Sequence, residues 1–262
     1  MSFLDNIVDI GKSAWNFLTG SNLGGNIVST ILTGYALNQV SDSMNKGNDN
    51  KSTTVTQSEQ KETGNKIQLS PATENKIPIV YGRSNVAGVI TDARMSADNQ
   101  KMTVVLTISE VTGVKISDGL NSSVEFLDVY LNNNRVIFKA DGITADYMMD
   151  HDGNVDRSIK DLIKVYCYSD GSSNPAILDN YSSGAPGAAW TIMPSWTSNH
   201  TMNKLVFAIV EVTYNRSKNI TAIPNFTFDI RNDMSMPGDC LYDYMTNTRY
   251  GAGIDPLEIK SA

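Results

Sequence analysis

Oxygen-bearing side chains recur at alternate positions in Asp150-His151-Asp152-Gly153-Asn154-Val155-Asp156. That spacing resembles a calcium loop, where carboxylate and amide oxygens converge on a hard cation. The EF-hand pattern places glycine sixth and a bidentate glutamate twelfth, but Val155 and Asp161 hold those positions here. A turn through Asp152-Gly153, with Asp156 capping a following helix, accounts for the same residues. The sequence favours the turn, and calcium at Asp150, Asp152, Asn154 and Asp156 stays as the lesser alternative. Thr248-Arg249-Tyr250-Gly251-Ala252-Gly253 has glycines but no following Lys-Ser/Thr, so it is no phosphate-cradling Walker loop. It follows a helical pattern rather than a strand, which suits a helix stop. Trp190 and Trp196, with Tyr181 nearby in sequence, could stack on sugar rings or anchor a protein interface. The interface is the favoured reading.

Other chemistry is thinly supplied. Two histidines, His151 and His200, leave little for acid–base or metal work. Two cysteines, Cys167 and Cys240, are too few for a disulfide scaffold or a cysteine-rich zinc site. Their apolar contexts predict buried free thiols. No H-E-x-x-H and no G-x-S-x-G is present. No enzyme and no cofactor are expected. The chain of 262 residues carries 21 Lys and Arg against 28 Asp and Glu, a net charge of −7. Such a balance lacks the basic footprint of a nucleic-acid binder and the polybasic patch of a membrane-surface protein. Only 19% of residues are charged. Polarity comes instead from small uncharged residues, with 26 asparagines, which favour turns and strand edges.

The elements that must position these residues fall into three unequal parts. Residues 1–40 read as an amphipathic helical arm. Leu4, Ile7, Val8, Trp15 and Leu18 recur at helical spacing, and Ile27, Ile31 and Tyr35 form a second stripe. Two short helices cannot bury such stripes alone, so they need a partner. Another protein chain is the favoured one, the chain's own body the second. A membrane is the last, because Lys12 is the sole basic residue of the first helix. Residues 41–66 are almost free of apolar side chains and read as a flexible polar linker. From Ile67 the period becomes two. Met102, Val104, Leu106 and Ile108 alternate with polar residues, as do Ile163, Val165 and Cys167, and Phe226, Phe228 and Ile230. Val124, Phe126, Val129 and Leu131 alternate with one slip of phase, the mark of a bulge. Helical spacing in this part is confined to 155–164, 174–182 and 238–247. The fold class is therefore mainly β with short helices, over 67–262, plus the helical arm.

Three segments of the β-rich part resemble a known family. Ile77-Pro78-Ile79-Val80-Tyr81-Gly82-Arg83 looks like the Leu-Pro-x-x-Tyr-Gly-x segment of the tail-tip hub proteins of lambda-like tailed phages. Ile223-Pro224-Asn225-Phe226-Thr227-Phe228-Asp229-Ile230 resembles their Ile-Pro-x-x-x-Phe-x-Val strand. The run from Asp239 to Gly253 is similar to the helix and Tyr-Gly-x-Gly stop that follow it. Arg231-Asn232 stand where that family usually has a glycine. The resemblance implies a structural virion protein, assembled in the host cytoplasm. It would form a hub at the distal end of the tail, in the tip or baseplate. It implies a homo-oligomeric ring, a trimer before a hexamer, contacting tail-tube, distal-tail and fibre proteins. Neither nucleic acid nor membrane is an expected partner. A carbohydrate-binding or fibre-adaptor module, using the aromatic loop 181–203, is the alternative expectation.

Overall fold

The computed structural model describes residues 75–259. The expected helical arm and the linker, with Leu4, Ile7, Trp15, Leu18, Ile27, Ile31 and Tyr35, lie outside the described residues. Eleven strands run in chain order: β1 (Arg83–Ala87), β2 (Val89–Met95), β3 (Lys101–Glu110), β4 (Val124–Leu131), β5 (Asn134–Phe138), β6 (Ala145–Met149), β7 (Val155–Asp156), β8 (Ile163–Tyr168), β9 (Pro175–Ala176), β10 (Leu205–Thr213) and β11 (Phe226–Asn232). Among the described residues three α-helices and a 3-10 turn (Arg216–Lys218) accompany them: α1 (Ala189–Ile192), α2 (Pro237–Thr246) and α3 (Pro256–Ile259). The described domain is mainly β, as the period-two pattern predicts.

The strands form two antiparallel sheets. One has the order β2-β3-β10-β8-β9, the other β1-β11-β4-β5-β6-β7. Local chemistry sets the connections. Asn132 and Asn133 join β4 to β5 with φ of 49° and 68°. Positive φ at both positions is what a two-residue turn of the right twist requires, and asparagine tolerates it. The phase slip in β4 is a bulge. Asp229 pairs with Asp128 and Ile230 with Phe126, which leaves Leu127 as the extra residue. Gly88 carries the chain from the second sheet into the first. A Cβ there would stand 2.7 Å from the Leu106 Cβ, so the crossing needs glycine.

Alternate residues of both sheets meet in one core. Val104, Leu106, Val206, Ala208 and Val210 from the first sheet pack with Phe126, Val129, Phe226 and Phe228 from the second. Phe126 and Phe228 meet edge to face, their centroids 6.2 Å apart. The opposite face of the first sheet is covered too. Phe207, Ile209, Val105 and Tyr168 form a second cluster beneath Ala189 and Met193 of the 183–203 loop. Tyr168 stacks on Phe207 at 4.7 Å. Strand β10 is thus apolar on both faces, which is why its sequence reads as a continuous run rather than an alternation.

Two expected helices are absent. Residues 155–164 hold β7, a turn and the start of β8. Val155, Ile159 and Ile163 sit four apart, a spacing that fits a helix and also one face of extended chain. Ile159 is wholly buried, whereas Val155 is 51% exposed, so they share no stripe. Residues 174–182 hold β9 and a turn. Leu178 bridges to Phe126, and Tyr181 packs on Phe138 at 6.1 Å. Helix 238–247 is present as α2. Cys167 is buried as expected, but Cys240 is only partly buried, on α2.

Candidate functional site

The Asp150 segment forms a turn whose oxygens are already in use. Asp150 Oδ1 accepts from the backbone N–H groups of Asp152, at 3.0 Å, and Asn154, at 2.8 Å. Its Oδ2 accepts from Asn154 Nδ2 at 2.9 Å. These bonds, the Asn154 side chain first, hold its carboxyl below the usual carboxylate range. Asp152 faces the His151 ring, and Asp156 accepts from the N–H and hydroxyl of Ser158. Asp156 therefore closes a turn instead of capping a helix. No group of three or more His, Cys, Asp or Glu residues is placed to hold a metal among the described residues. A chelator is expected to leave the melting temperature of the protein unchanged. A cation bound at 100 times its dissociation constant would add about 2.7 kcal/mol, so a calcium-dependent rise in melting temperature would restore the metal reading.

The aromatic loop serves its own sheet first. Trp196 donates its ring N–H to Asp92 Oδ2 on β2 at 2.9 Å, and its ring stacks with exposed His200 at 5.3 Å. Trp196 packs on the second cluster, while Tyr181 packs on the main core. The hydroxyl of Tyr181 accepts from the Phe138 N–H at 2.8 Å. The three aromatics do not form one platform. Trp190 lies half-buried in α1.

The residues that do converge lie around α2. This helix is built inside out. Asp239 and Asp243, four residues apart and so on one face, are 3% and 4% exposed. Leu241 and Tyr244, on the other side, are 61% and 50% exposed. Buried carboxylates need donors, and distant segments supply them. Asp243 Oδ2 accepts from the hydroxyls of Tyr81, at 2.7 Å, and Tyr250, at 2.6 Å. Asp243 Oδ1 accepts from the Gly113 N–H at 3.0 Å. Asp239 accepts from the N–H and hydroxyl of Ser117. The loop between β3 and β4 is thereby strapped along α2. Asn232, at the end of β11 and 1% exposed, completes the join. Its amide donates to the Val80 carbonyl and the Thr112 hydroxyl, both at 2.8 Å. The helix ends at Thr246, capped by Asn247, and Gly251 lets the following turn fold back against its last turn. A Cβ there would lie 2.0 Å from the Tyr244 carbonyl oxygen, which accepts from the Ala252 N–H.

Asp239, Asp243, Asn232 and Ser117 were not sequence candidates. Aspartate normally reads as surface, and nothing local marks a partner 162 residues away. Tyr81, Asp243 and Tyr250 did stand inside the family-like segments.

The pairing of two phenols with one carboxylate sets a pH limit. Burial first, then the bond to Asp243, raises the pKa of both Tyr81 and Tyr250. Burial does the same to Tyr166 and Tyr168. A phenol whose folded pKa is raised above its unfolded value of 10.0 stabilises the fold fully below pH 10. That stability declines as the pH climbs further, because the unfolded chain releases the proton first. Denaturation midpoints are therefore expected to hold steady from pH 8 to 10 and fall above it. A flat profile to pH 12 would remove the linkage.

Taken together, the fold and the site define a mainly β domain with one helix, α2, that buries two carboxylates and turns apolar side chains outward. Compared with known proteins, the chain matches no family model, no curated protein and no solved structure.

Proposed function

We propose that the protein is a structural component of a phage tail, a hub at the tail's distal end that works as a ring of identical copies. It joins the tube to the parts that meet the host, and it does so through surfaces, without catalysis or cofactor. The observation that carries this reading is the meeting of the three family-like segments. The first lies far in sequence from the other two, yet its Tyr81 shares the carboxylate of Asp243 with Tyr250. Strand β1 pairs with β11 along its length, and Arg83 grips Asp229 through two bonds of 3.0 and 2.6 Å. Such a meeting is what the resemblance would require if the three segments formed one structural unit. The outward face of α2 supports a role in assembly, since large exposed apolar side chains in one region mark interaction surfaces.

A ring follows when one patch meets a different patch and the rotation closes, three copies being favoured and six next. The test is the copy number and position of the chain in an electron-microscopy reconstruction of the particle. Three or six copies around the tail axis are expected. A single copy, or a location away from the tail, overturns the proposal.

A further inference from the structure

Nine large hydrophobic side chains are exposed among the described residues, and seven of them lie on α2, on the loop bonded to it, or on α3 just after it. Val114, Ile116 and Leu120 lie on the loop that Asp239 and Asp243 strap to α2. Met236, Leu241 and Tyr244 lie on α2 or at its start, and Leu257, 75% exposed, follows on α3. A soluble chain rarely leaves such a surface in water. We infer that in the free chain this surface is the seat of the chain's own N-terminal arm, residues 2–37.

Three facts select that occupant. The arm carries the matching chemistry, with Leu4, Ile7, Trp15 and Leu18 on one stripe and Ile27, Ile31 and Tyr35 on another. The described domain begins beside the seat. Asn75 precedes Tyr81 by six residues, a reach of at most about 20 Å, and Tyr81 is bonded to Asp243 of α2. The intervening 34 residues, 41–74, reach at most about 110–120 Å when extended, so their length sets no bar to the arm's return onto α2. A segment of the same chain also competes at a local concentration that dilution does not lower, unlike a second copy. The arm's stripes and the helix face then cover each other until a neighbouring chain displaces the arm. This seat rests on the exposed face and the tether. It holds or fails independently of any location in a tail.

The test uses the full chain at micromolar concentration with p-benzoylphenylalanine in place of Leu241. Irradiation is expected to give a product of monomer mass whose adduct maps to residues 2–37. A dimer-mass product, an adduct elsewhere, or no adduct overturns the inference. Hydrogen exchange supplies the second arm. Amides of 2–37 are expected to exchange at least tenfold more slowly than unstructured chain. That protection should vanish in the double variant Leu241→Asp, Tyr244→Asp while β3, β10 and β11 stay protected. Arm protection that survives the double variant overturns the seat. If the variant fails to fold, seen as lost strand protection, the photochemical result decides.

Discussion

Replacing Asp243 with alanine is expected to lower stability by about 3–5 kcal/mol, the cost of removing one side of a buried charged or hydrogen-bonded group. Three donors lose their acceptor at once: the Tyr81 and Tyr250 hydroxyls and the Gly113 N–H. The two phenols are only partly buried, so water recovers some of the loss, which keeps the figure from being a plain sum. For a domain of this size, 1 kcal/mol moves the melting temperature by about 2–4 °C, so a fall of about 6–20 °C follows. Asp243→Asn retains an acceptor oxygen and should cost less. Val155→Ala, at an exposed position away from this helix, should stay within about 0.5 kcal/mol. Urea unfolding measures all three. An Asp243→Ala midpoint no lower than that of Val155→Ala would show that the carboxylate is not what holds α2 down.

Phe228→Ala is expected to cost a similar 3–5 kcal/mol, through a different mechanism. Phe228 is fully buried in β11, the strand flanked by β1 and β4, with Phe126 against its ring. Its removal leaves a cavity that rigid neighbours on both flanking strands cannot close. Calorimetry would register the loss as a lower melting temperature. A cost under 1 kcal/mol would mean the two sheets can collapse onto the space.

Much of this fold is legible in period two. Strands β3, β8 and β11 each set an apolar face against a more polar one, broken only by Val105 and Tyr168 in the second cluster, and alternation finds them directly. Strand β10 escapes that test because the 183–203 loop buries its second face, a fact held in the loop's residues and not in the strand's. The false helix at 155–164 arises because a spacing of four is even, so Val155, Ile159 and Ile163 satisfy both periods. The site was less legible. Tyr81, Asp243 and Tyr250 could be picked out as parts of familiar-looking segments. Their bond to one another depends on a sequence separation of 162 residues, which no window of local pattern spans. Aspartates at 239 and 243 on an amphipathic helix suggest a wet face, and here they mark the dry one.

The strand orders fix when the domain can close. Strand β10 slots between β3 and β8, and β11 slots between β1 and β4. In both sheets a strand made late occupies the gap between strands made early. A nascent chain that has emerged only as far as Lys204 carries four open strand edges facing two vacant slots. The first sheet cannot finish until Thr213 has left the ribosome, nor the second until Asn232, and the clasp on Asp243 waits for Tyr250. Closure therefore comes late in the emergence of this domain, governed by long-range pairings that form slowly. Until then the unpaired edges are open to other nascent chains, so yield in expression should depend on translation rate and temperature more than on final stability.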